Sequence, residues 1–312
     1  MSLNRTVAVT GATGFIGAAI VRQLVLEGYT VRILVRPESM SKAAFSEHVE
    51  IIPGDLENPS SLNELLTGAN ALVHCAGVVR GAAKATFERI NTEAVRQLVN
   101  MASQQHDLER FLLISSLAAS QPHVSPYAAS KRAGELAMAL APPHLACLAL
   151  RPPAVYGPGD KELLPLFKAM AHGFAPRWAP AENRFSLIFV SDLVSAAIRW
   201  LACPVPAAGI YELHDGREGG YSMDEINVIA ESVLRRRIRP VRVPAYLLDA
   251  IAMANIALAR VFPFQPMLTP WKLGELRYPR WVCDNNAFAS ATAWEPQISF
   301  STGLSLALAD DA

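Results

Sequence analysis

Short apolar runs alternating with amphipathic stretches dominate the first half of the chain. Thr6–Thr10, Thr30–Val35, Val49–Ile52, Ala71–Cys75, Arg110–Ser115 and Leu145–Leu150 are rich in Val, Ile and Leu and show little polar alternation. That pattern predicts strands buried on both faces. Between them the apolar positions fall at helical spacing over Gly14–Glu27, Ser60–Leu66, Lys84–Gln105 and Pro126–Leu140. Regular strand–helix alternation predicts an α/β fold: a doubly wound Rossmann-type parallel sheet covered on both faces. Right-handed crossovers then place a ligand at the carboxyl ends of the strands.

Past Gly159 the pattern is less regular. Leu163–Gly173 reads as a helix, Phe174–Trp178 is aromatic and proline-rich, and Phe185–Val190 reads as a strand. Asp192 is placed to cap a helix over Leu193–Cys203, and Ile210–Leu213 returns to the main sheet as a seventh strand. Ser222 and Glu225 form a capping-box signal for a helix running to about Arg236. Its tail, Arg235-Arg236-Arg237, suits a helix C-terminus better than an anion site. Residues 1–160, with 190–215 returning, are expected to hold a dinucleotide. Residues 161–189 and 216–312 are expected to form a smaller, discontinuous substrate-binding lobe.

The stretch Thr10-Gly11-Ala12-Thr13-Gly14-Phe15-Ile16-Gly17 joins the first strand to the first helix. In such a fingerprint Gly11 permits the tight turn, Gly14 lets the pyrophosphate approach, and Gly17 lets helix and strand pack closely. The helix start presents free N–H groups to phosphates, and Thr13, Phe15 and Ile16 lie along the same path. An ordinary strand-to-helix turn is the competing reading.

The end of the second strand bears on cofactor choice. A carboxylate there would accept from the adenosine ribose, but Arg36 follows Val35, with Lys42 nearby. Arg36 can pair with a 2′-phosphate, which favours NADP (NADPH) over NAD; a solvated loop arginine is the alternative. After the third strand, Asp55 and Leu56 place a carboxylate within reach of an adenine amino group, unless Asp55 caps the next helix. Cys75-Ala76-Gly77 ends the fourth strand with small residues that let the chain pass close to a cofactor, and His74 is either a core histidine or a contact.

Candidate chemistry lies next. Ser116 follows the fifth strand, and Tyr127 and Lys131 stand four residues apart in a segment that Ser125-Pro126 marks as a helix start. Residues at that spacing share a helix face. A free phenol, with a pKa near ~10, is a poor proton shuttle at neutral pH, and an adjacent ammonium is expected to lower it. Ser116 can then donate to a substrate oxygen whose proton Tyr127 delivers or removes.

Composition changes this picture little. The chain has 312 residues and zero formal net charge, which argues against nucleic acid as a partner. Hydrophobic residues make up 51% and mean hydropathy is positive, so an apolar pocket or membrane-facing patch competes with a well-filled core. Cys75, Cys147, Cys203 and Cys283 have no metal-type spacing; no metal is expected, and reduced thiols point to the cytoplasm. The chain enters a strand at once, which leaves no room for a signal peptide. The most apolar segment, Tyr246–Phe262 with Phe264, Met267 and Leu268, is short for a bilayer span. It is expected to pack the small lobe, the alternatives being a wall for a lipid-like substrate or a surface on a membrane.

The motifs TGATGFIG at 10–17, HCAG at 74–77, YAASK at 127–131, RPPAVYGPGD at 151–160 and FVSDL at 189–193 together resemble the extended short-chain dehydrogenases/reductases. The resemblance is to the NAD-dependent epimerase/dehydratase and 3β-hydroxysteroid dehydrogenase-like group. It implies catalytic roles for Ser116, Tyr127 and Lys131, with Tyr127 and Lys131 also on the cofactor. It implies a proton relay to the lysine aided by Asn91, and nicotinamide packing by Pro152, Pro153 and Val155. Leu276–Asp284 and Trp294-Glu295-Pro296 resemble the lobe of members acting on lipid or steroid substrates. The interval from Ser116 to Tyr127 is shorter than in sugar-nucleotide epimerases of the group. Homodimers of the family commonly pair two helices, here near 84–105 and 126–140, whose apolar residues can equally face the chain's own sheet. The expected function is NADP-dependent interconversion of a ketone and a secondary alcohol on a hydrophobic lipid, sphingoid or steroid-like substrate. A nucleotide-sugar epimerase or dehydratase with tightly held NAD, and a non-catalytic NADP-binding scaffold, are the alternatives.

Overall fold

The computed structural model describes residues 5–42, 45, 47–81, 83–259, 261–262 and 264–309; the Lys42 side chain, Arg260 and Pro263 lie outside them. Its centre is a seven-stranded sheet made of β1 (Thr6–Thr10), β2 (Thr30–Val35), β3 (Val49–Pro53), β4 (Ala71–His74), β5 (Arg110–Ile114), β6 (Ala146–Arg151) and β11 (Gly209–Glu212). Every pairing is parallel and the order is β11-β6-β5-β4-β1-β2-β3. The strand order reverses between β1 and β4, which opens a crevice at their carboxyl ends.

The strand runs supply both faces. Val7, Val9, Ile33, Leu112 and Ile114 point into one core with Ile20 and Leu24 of α1 (Phe15–Leu26) and Trp200 of α7 (Val190–Ala202). Ala8, Leu34, Phe111 and Leu113 point into the other, against α2 (Pro59–Leu66), α4 (Ala94–Ala102) and α5 (Pro126–Met138). Val95, Leu98, Val99, Ala137 and Met138 therefore pack on the chain's own sheet, while Leu136 and Leu140 stay exposed. The expected helix over Lys84–Gln105 is interrupted: α3 (Lys84–Phe87) passes into a π-helical turn over Glu88–Glu93 before α4.

The later segments form three small sheets. β7 (Ala154–Tyr156) pairs with β10 (Leu187–Phe189), and β8 (Phe174–Arg177) with β13 (Arg239–Arg242). β9 (Arg184–Phe185) lies between β12 (Tyr221–Ser222) and β14 (Arg280–Trp281). The helices here are α6 (Leu164–Ala171), α8 (Met223–Leu234), α9 (Ala245–Ala259), α10 (Pro270–Arg277), α11 (Asn286–Thr292) and α12 (Phe300–Ala309).

Three expectations are corrected. The single strand over Phe185–Val190 breaks at buried Ser186, whose N–H donates to the Trp281 carbonyl, so its two halves join different sheets. Asp192 does not cap α7: the helix already starts at Val190, and the buried carboxylate instead accepts from the N–H groups of Gln297 and Ile298. The apolar helix α9 lies against α10 but does not fill the lobe's interior, since only Ala252 is buried. The Ser222–Glu225 capping box forms as expected. Arg235 ends α8 in the left-handed region, and Arg236 donates to the Ala171 carbonyl, completing the C-terminus of α6 rather than of its own helix.

Candidate active site

All the parallel strands deliver their carboxyl ends to one edge, so residues far apart in sequence meet there. Gly11, with φ of 73°, starts the turn after β1, and Gly14 donates back to its carbonyl at 3.0 Å. A Cβ on Gly11 would lie 2.4 Å from the Ala76 nitrogen, and one on Gly17 would lie 2.2 Å from the Gly11 carbonyl oxygen. Neither backbone atom can rotate away. The Cys75-Ala76-Gly77 segment is thus pressed onto the glycine turn across the switch point.

No side chain caps α1 and its first turn holds no acid. Its leading N–H groups, those of Phe15, Ile16 and Gly17, are left without a side-chain acceptor beside a positive helix end. The donor set of this turn fits a pyrophosphate, and Gly14 carries no side chain between it and the solvent. Thr13 is half-buried beside the turn, and the Phe15 ring lies against Gly159.

The outlying cofactor candidates are placed as follows. Arg36 stands at the end of β2 with its side chain 64% exposed, 3.1 Å from the Glu38 carboxylate. Asp55 is not the cap of α2: its Oδ1 accepts from the Glu57 N–H, and Asn58 is the capping residue. Leu56 packs against the second core. His74 resolves as a core residue, its Nδ1 2.6 Å from the Thr10 hydroxyl, and burial holds it down to about 3, that is, neutral. Burial likewise pushes the Cys75 thiol up to about 12, so it stays protonated. Buried Pro152 accepts from the Leu117 N–H at 2.8 Å, and Val155 is half-buried in β7.

Ser116 leaves β5 and caps the short turn Leu117–Ser120. Ser125 caps α5, with Pro126 in the first turn where its missing N–H costs nothing. This capping fixes Tyr127 on the first turn of α5, near enough to Ser116 for that hydroxyl to favour the ionised phenol. The buried Lys131 donates to the Ile114 carbonyl at 3.0 Å, and its Nζ lies 3.2 Å from where a Gly77 Cβ would be. Asn91 sits on the π-helical turn, a local geometry frequent at functional sites. Its side chain accepts from the Val78 N–H, donates to the Val78 carbonyl and to the Ser130 hydroxyl, and so ties the β4 loop to α5.

The electrostatics differ from expectation. Burial lowers the Lys131 ammonium to about 8, partly offset by Cys75 and Glu135. Burial also raises the Tyr127 phenol above its ordinary range, with the Ser116 hydroxyl opposing and Glu275 and Glu162 adding to the rise. The lowering of the phenol by Lys131 is therefore not supplied by these side chains. At neutral pH Tyr127 is protonated and Lys131 is charged.

Sequence reasoning missed several neighbours. Glu135, one turn beyond Lys131 and buried, accepts from the Ser115 hydroxyl at 2.6 Å and from Arg151 through two bonds. The i, i+4 spacing from Lys131 was the available signal. Tyr127 opens onto a cleft lined by Val79, Phe87, Met267 and Trp271, with the Phe87 ring at 6.2 Å. Arg80 and Lys272 also reach this cleft, but Arg80 is paired with Glu162 and Lys272 with Glu275. Glu275 in turn accepts from the Ser125 hydroxyl, which fastens α10 to the start of α5.

Lys131 yields a separable prediction. Its pKa is below the ordinary lysine value in the fold, so the unfolded chain binds the extra proton between pH 8 and about 10.5, and the Lys131 contribution to stability should rise across that window, against the fall contributed by the raised buried thiols. Lys131→Met should abolish this rise and melt no lower than the parent at pH 7, because a buried charge is removed. Thermal unfolding from pH 7 to 10 checks both.

Among known proteins, residues 7–212 match the model of the NAD dependent epimerase/dehydratase family. A ceramide reductase of Caulobacter vibrioides (strain NA1000 / CB15N) is 39% identical over 238 residues, covering 76% of this chain and 73% of that protein. A dTDP-4-dehydro-6-deoxy-D-allose reductase of Streptomyces bikiniensis is 29% identical, covering 89% of this chain and 96% of its own length. In fold, the chain is similar to the UDP-glucuronic acid 4-epimerase from Bacillus cereus solved with UDP-glucuronic acid and NAD: TM-score 0.77, 17% identity, 98% of each chain covered. The chain therefore belongs to the NAD dependent epimerase/dehydratase family and is an NAD(P)-dependent enzyme of the extended short-chain dehydrogenase/reductase type.

Proposed function

We propose that this enzyme is an NADPH-dependent reductase of a ketone on a long-chain lipid of the sphingoid or ceramide class. The observation that carries the reading is the Ser116–Tyr127 pair, a phenol kept protonated by burial in a cleft whose apolar walls, Val79, Phe87, Met267 and Trp271, alternate with paired charges. A group that must give a proton to a carbonyl oxygen benefits from being fully protonated at working pH. In this reading Ser116 polarises the ketone oxygen and Tyr127 protonates it. A nicotinamide held there would supply the hydride for the carbonyl carbon, and with a solvent proton returned to Tyr127 the ketone, NADPH and H⁺ would become secondary alcohol and NADP⁺. Lys131 holds a positive charge at the site, and Asn91 keeps the loop after β4 in place. Gly11, Gly14, Gly17 and the leading N–H groups of α1 hold the pyrophosphate, while Cys75, Ala76, Gly77, Pro152 and Val155 flank the remainder. Residues 161–189 and 216–312 act as the substrate lobe.

The substrate class is supported by the ceramide reductase relative and by the cleft's cations, each already matched to a carboxylate. A nucleoside diphosphate would need unpaired cations there. The preference for NADPH is supported by Arg36, whose exposed pair with Glu38 is weak enough for the guanidinium to turn to a 2′-phosphate. The test is cofactor consumption by the purified protein offered a long-chain 3-keto amine or its N-acyl derivative, with NADH as the paired control. Consumption with NADPH alone is expected. Absence of consumption, with NAD released on denaturation, would move the assignment to an epimerase.

A further inference from the structure

A helix that is apolar all round is ordinarily buried, yet α9 is not. Tyr246 is 77% exposed and Met253 61%, and Leu247, Ile251 and Leu258 are exposed as well. At about 100° per residue, these five fall with Ala250, Ala254 and Ala257 on one continuous arc that carries no charge. Asp249, at the margin of the arc, is taken up by Arg277 at 2.9 Å. Beyond α9 the apolar exposure continues through Val261, Phe262, Phe264 and Met267.

Charge is distributed in step with this face. The chain has no net charge, yet residues 235–259 hold five arginines against one aspartate. Arg235, Arg237, Arg239 and Arg242 are exposed and form no ion pair among the described residues. The arginine-bearing strand β13 leads directly into α9, and exposed Val241, with Phe174 on its partner strand, interleaves apolar groups among the cations. Apolar side chains beside a dense cationic rim match a surface that is greasy inside and anionic outside. No helix among the described residues is long and apolar enough to cross a membrane, so α9 can lie in such a surface but not span it.

The face is also continuous with the site. The Asn255 amide donates to the Leu268 carbonyl, and Arg277 donates to the Asp249 carboxylate and the Ala245 carbonyl, which holds α9 against α10. Met267 is exposed on the apolar side and lines the Tyr127 cleft with Trp271 of α10.

We propose that α9, the arginines of residues 235–242 and the exposed Phe262, Phe264 and Met267 form a docking face for an anionic lipid bilayer. An acyl-chain substrate then reaches Tyr127 along Met267 without crossing water; this delivery step rests on the reductase reading, whereas the docking does not.

The test is co-sedimentation of the full chain with phosphatidylglycerol/phosphatidylcholine vesicles against phosphatidylcholine alone. Binding to the anionic vesicles at low salt, weakened at high salt, is expected. Arg239→Ala and Arg242→Ala should each weaken it about fivefold, and the triple change Leu247→Glu, Ile251→Glu, Leu258→Glu should abolish it while leaving turnover of a water-soluble short-chain ketone unchanged. Failure of the parent to bind anionic vesicles, or equal binding by the triple variant, overturns the docking face. So does a lipid-free dimer that the triple variant dissolves, because a second copy would then be the occupant. Vesicle binding without turnover of any ketone would uphold the docking face and remove the reductase reading.

Discussion

Replacing Tyr127 by Phe should lower turnover by about 10²- to 10⁴-fold, the range that removal of a positioned proton donor covers. Only the hydroxyl is lost, so the edge-to-face packing on Phe87 and the caps that seat α5 are retained. Nicotinamide binding, followed by fluorescence, should therefore change by less than about threefold, far below the catalytic loss. Ser116→Ala should act on turnover in the same direction, since the phenol loses the hydroxyl that opposes its raised pKa. Retained turnover in the Tyr127→Phe protein would sink the proton-transfer role. Equal loss of cofactor binding would recast Tyr127 as a binding residue.

The second large effect is expected at the glycine turn. Gly11→Ala forces a side chain into the left-handed region, at about 1–2 kcal/mol. It also drives the new methyl against the backbone of Cys75 and Ala76, at about 1–3 kcal/mol more. The sum, about 2–5 kcal/mol, should lower the melting temperature by several degrees and weaken NADPH binding by more than about tenfold. Gly28→Ala separates the two causes. Gly28 also has positive φ, 81°, but nothing lies within 4 Å of the added Cβ. It should bear the conformational cost alone and bind cofactor normally. Equal cofactor loss in both variants would mean that the close approach of β4 to the turn has no part in binding.

The parts of the fold set by local chemistry were legible from the sequence. Runs such as Val31–Val35 and Phe111–Ile114 could only be strands buried on both faces, and their boundaries are met to within about a residue. Ser222 with Glu225, and Ser125 with Pro126, announced helix starts through groups that satisfy adjacent N–H donors. What local pattern cannot carry is the destination of a polar group. Asp192 looked like a cap, but tertiary packing gives it the Gln297 and Ile298 amides, more than a hundred residues away in sequence. Ser186 splits a strand because the Trp281 carbonyl competes for its N–H.

The site divides in the same way. Gly11, Ser116, Tyr127 and Lys131 are readable because fixed offsets around strand ends and one helix turn bring them together. Met267 and Trp271 belong to segments without periodic pattern, so only the packing of α10 onto α5 through Glu275 and Ser125 places them at Tyr127. The sign of the tyrosine shift was also beyond the sequence. Spacing put the ammonium on the same helix face as the phenol, but it could not show the burial that raises the phenol.

The central claim is net transfer of hydride from a nicotinamide to a lipid ketone at the Ser116–Tyr127 pair. Its most direct measurement is reduction of a long-chain 3-keto amide with NADPH deuterated at the transferring position, followed by mass spectrometry of the product. An alcohol one mass unit heavier is expected, with the deuterium on the carbinol carbon and one NADP formed per alcohol. Conversion of substrate to a stereoisomer of unchanged mass, with no net NADPH oxidised, would contradict it.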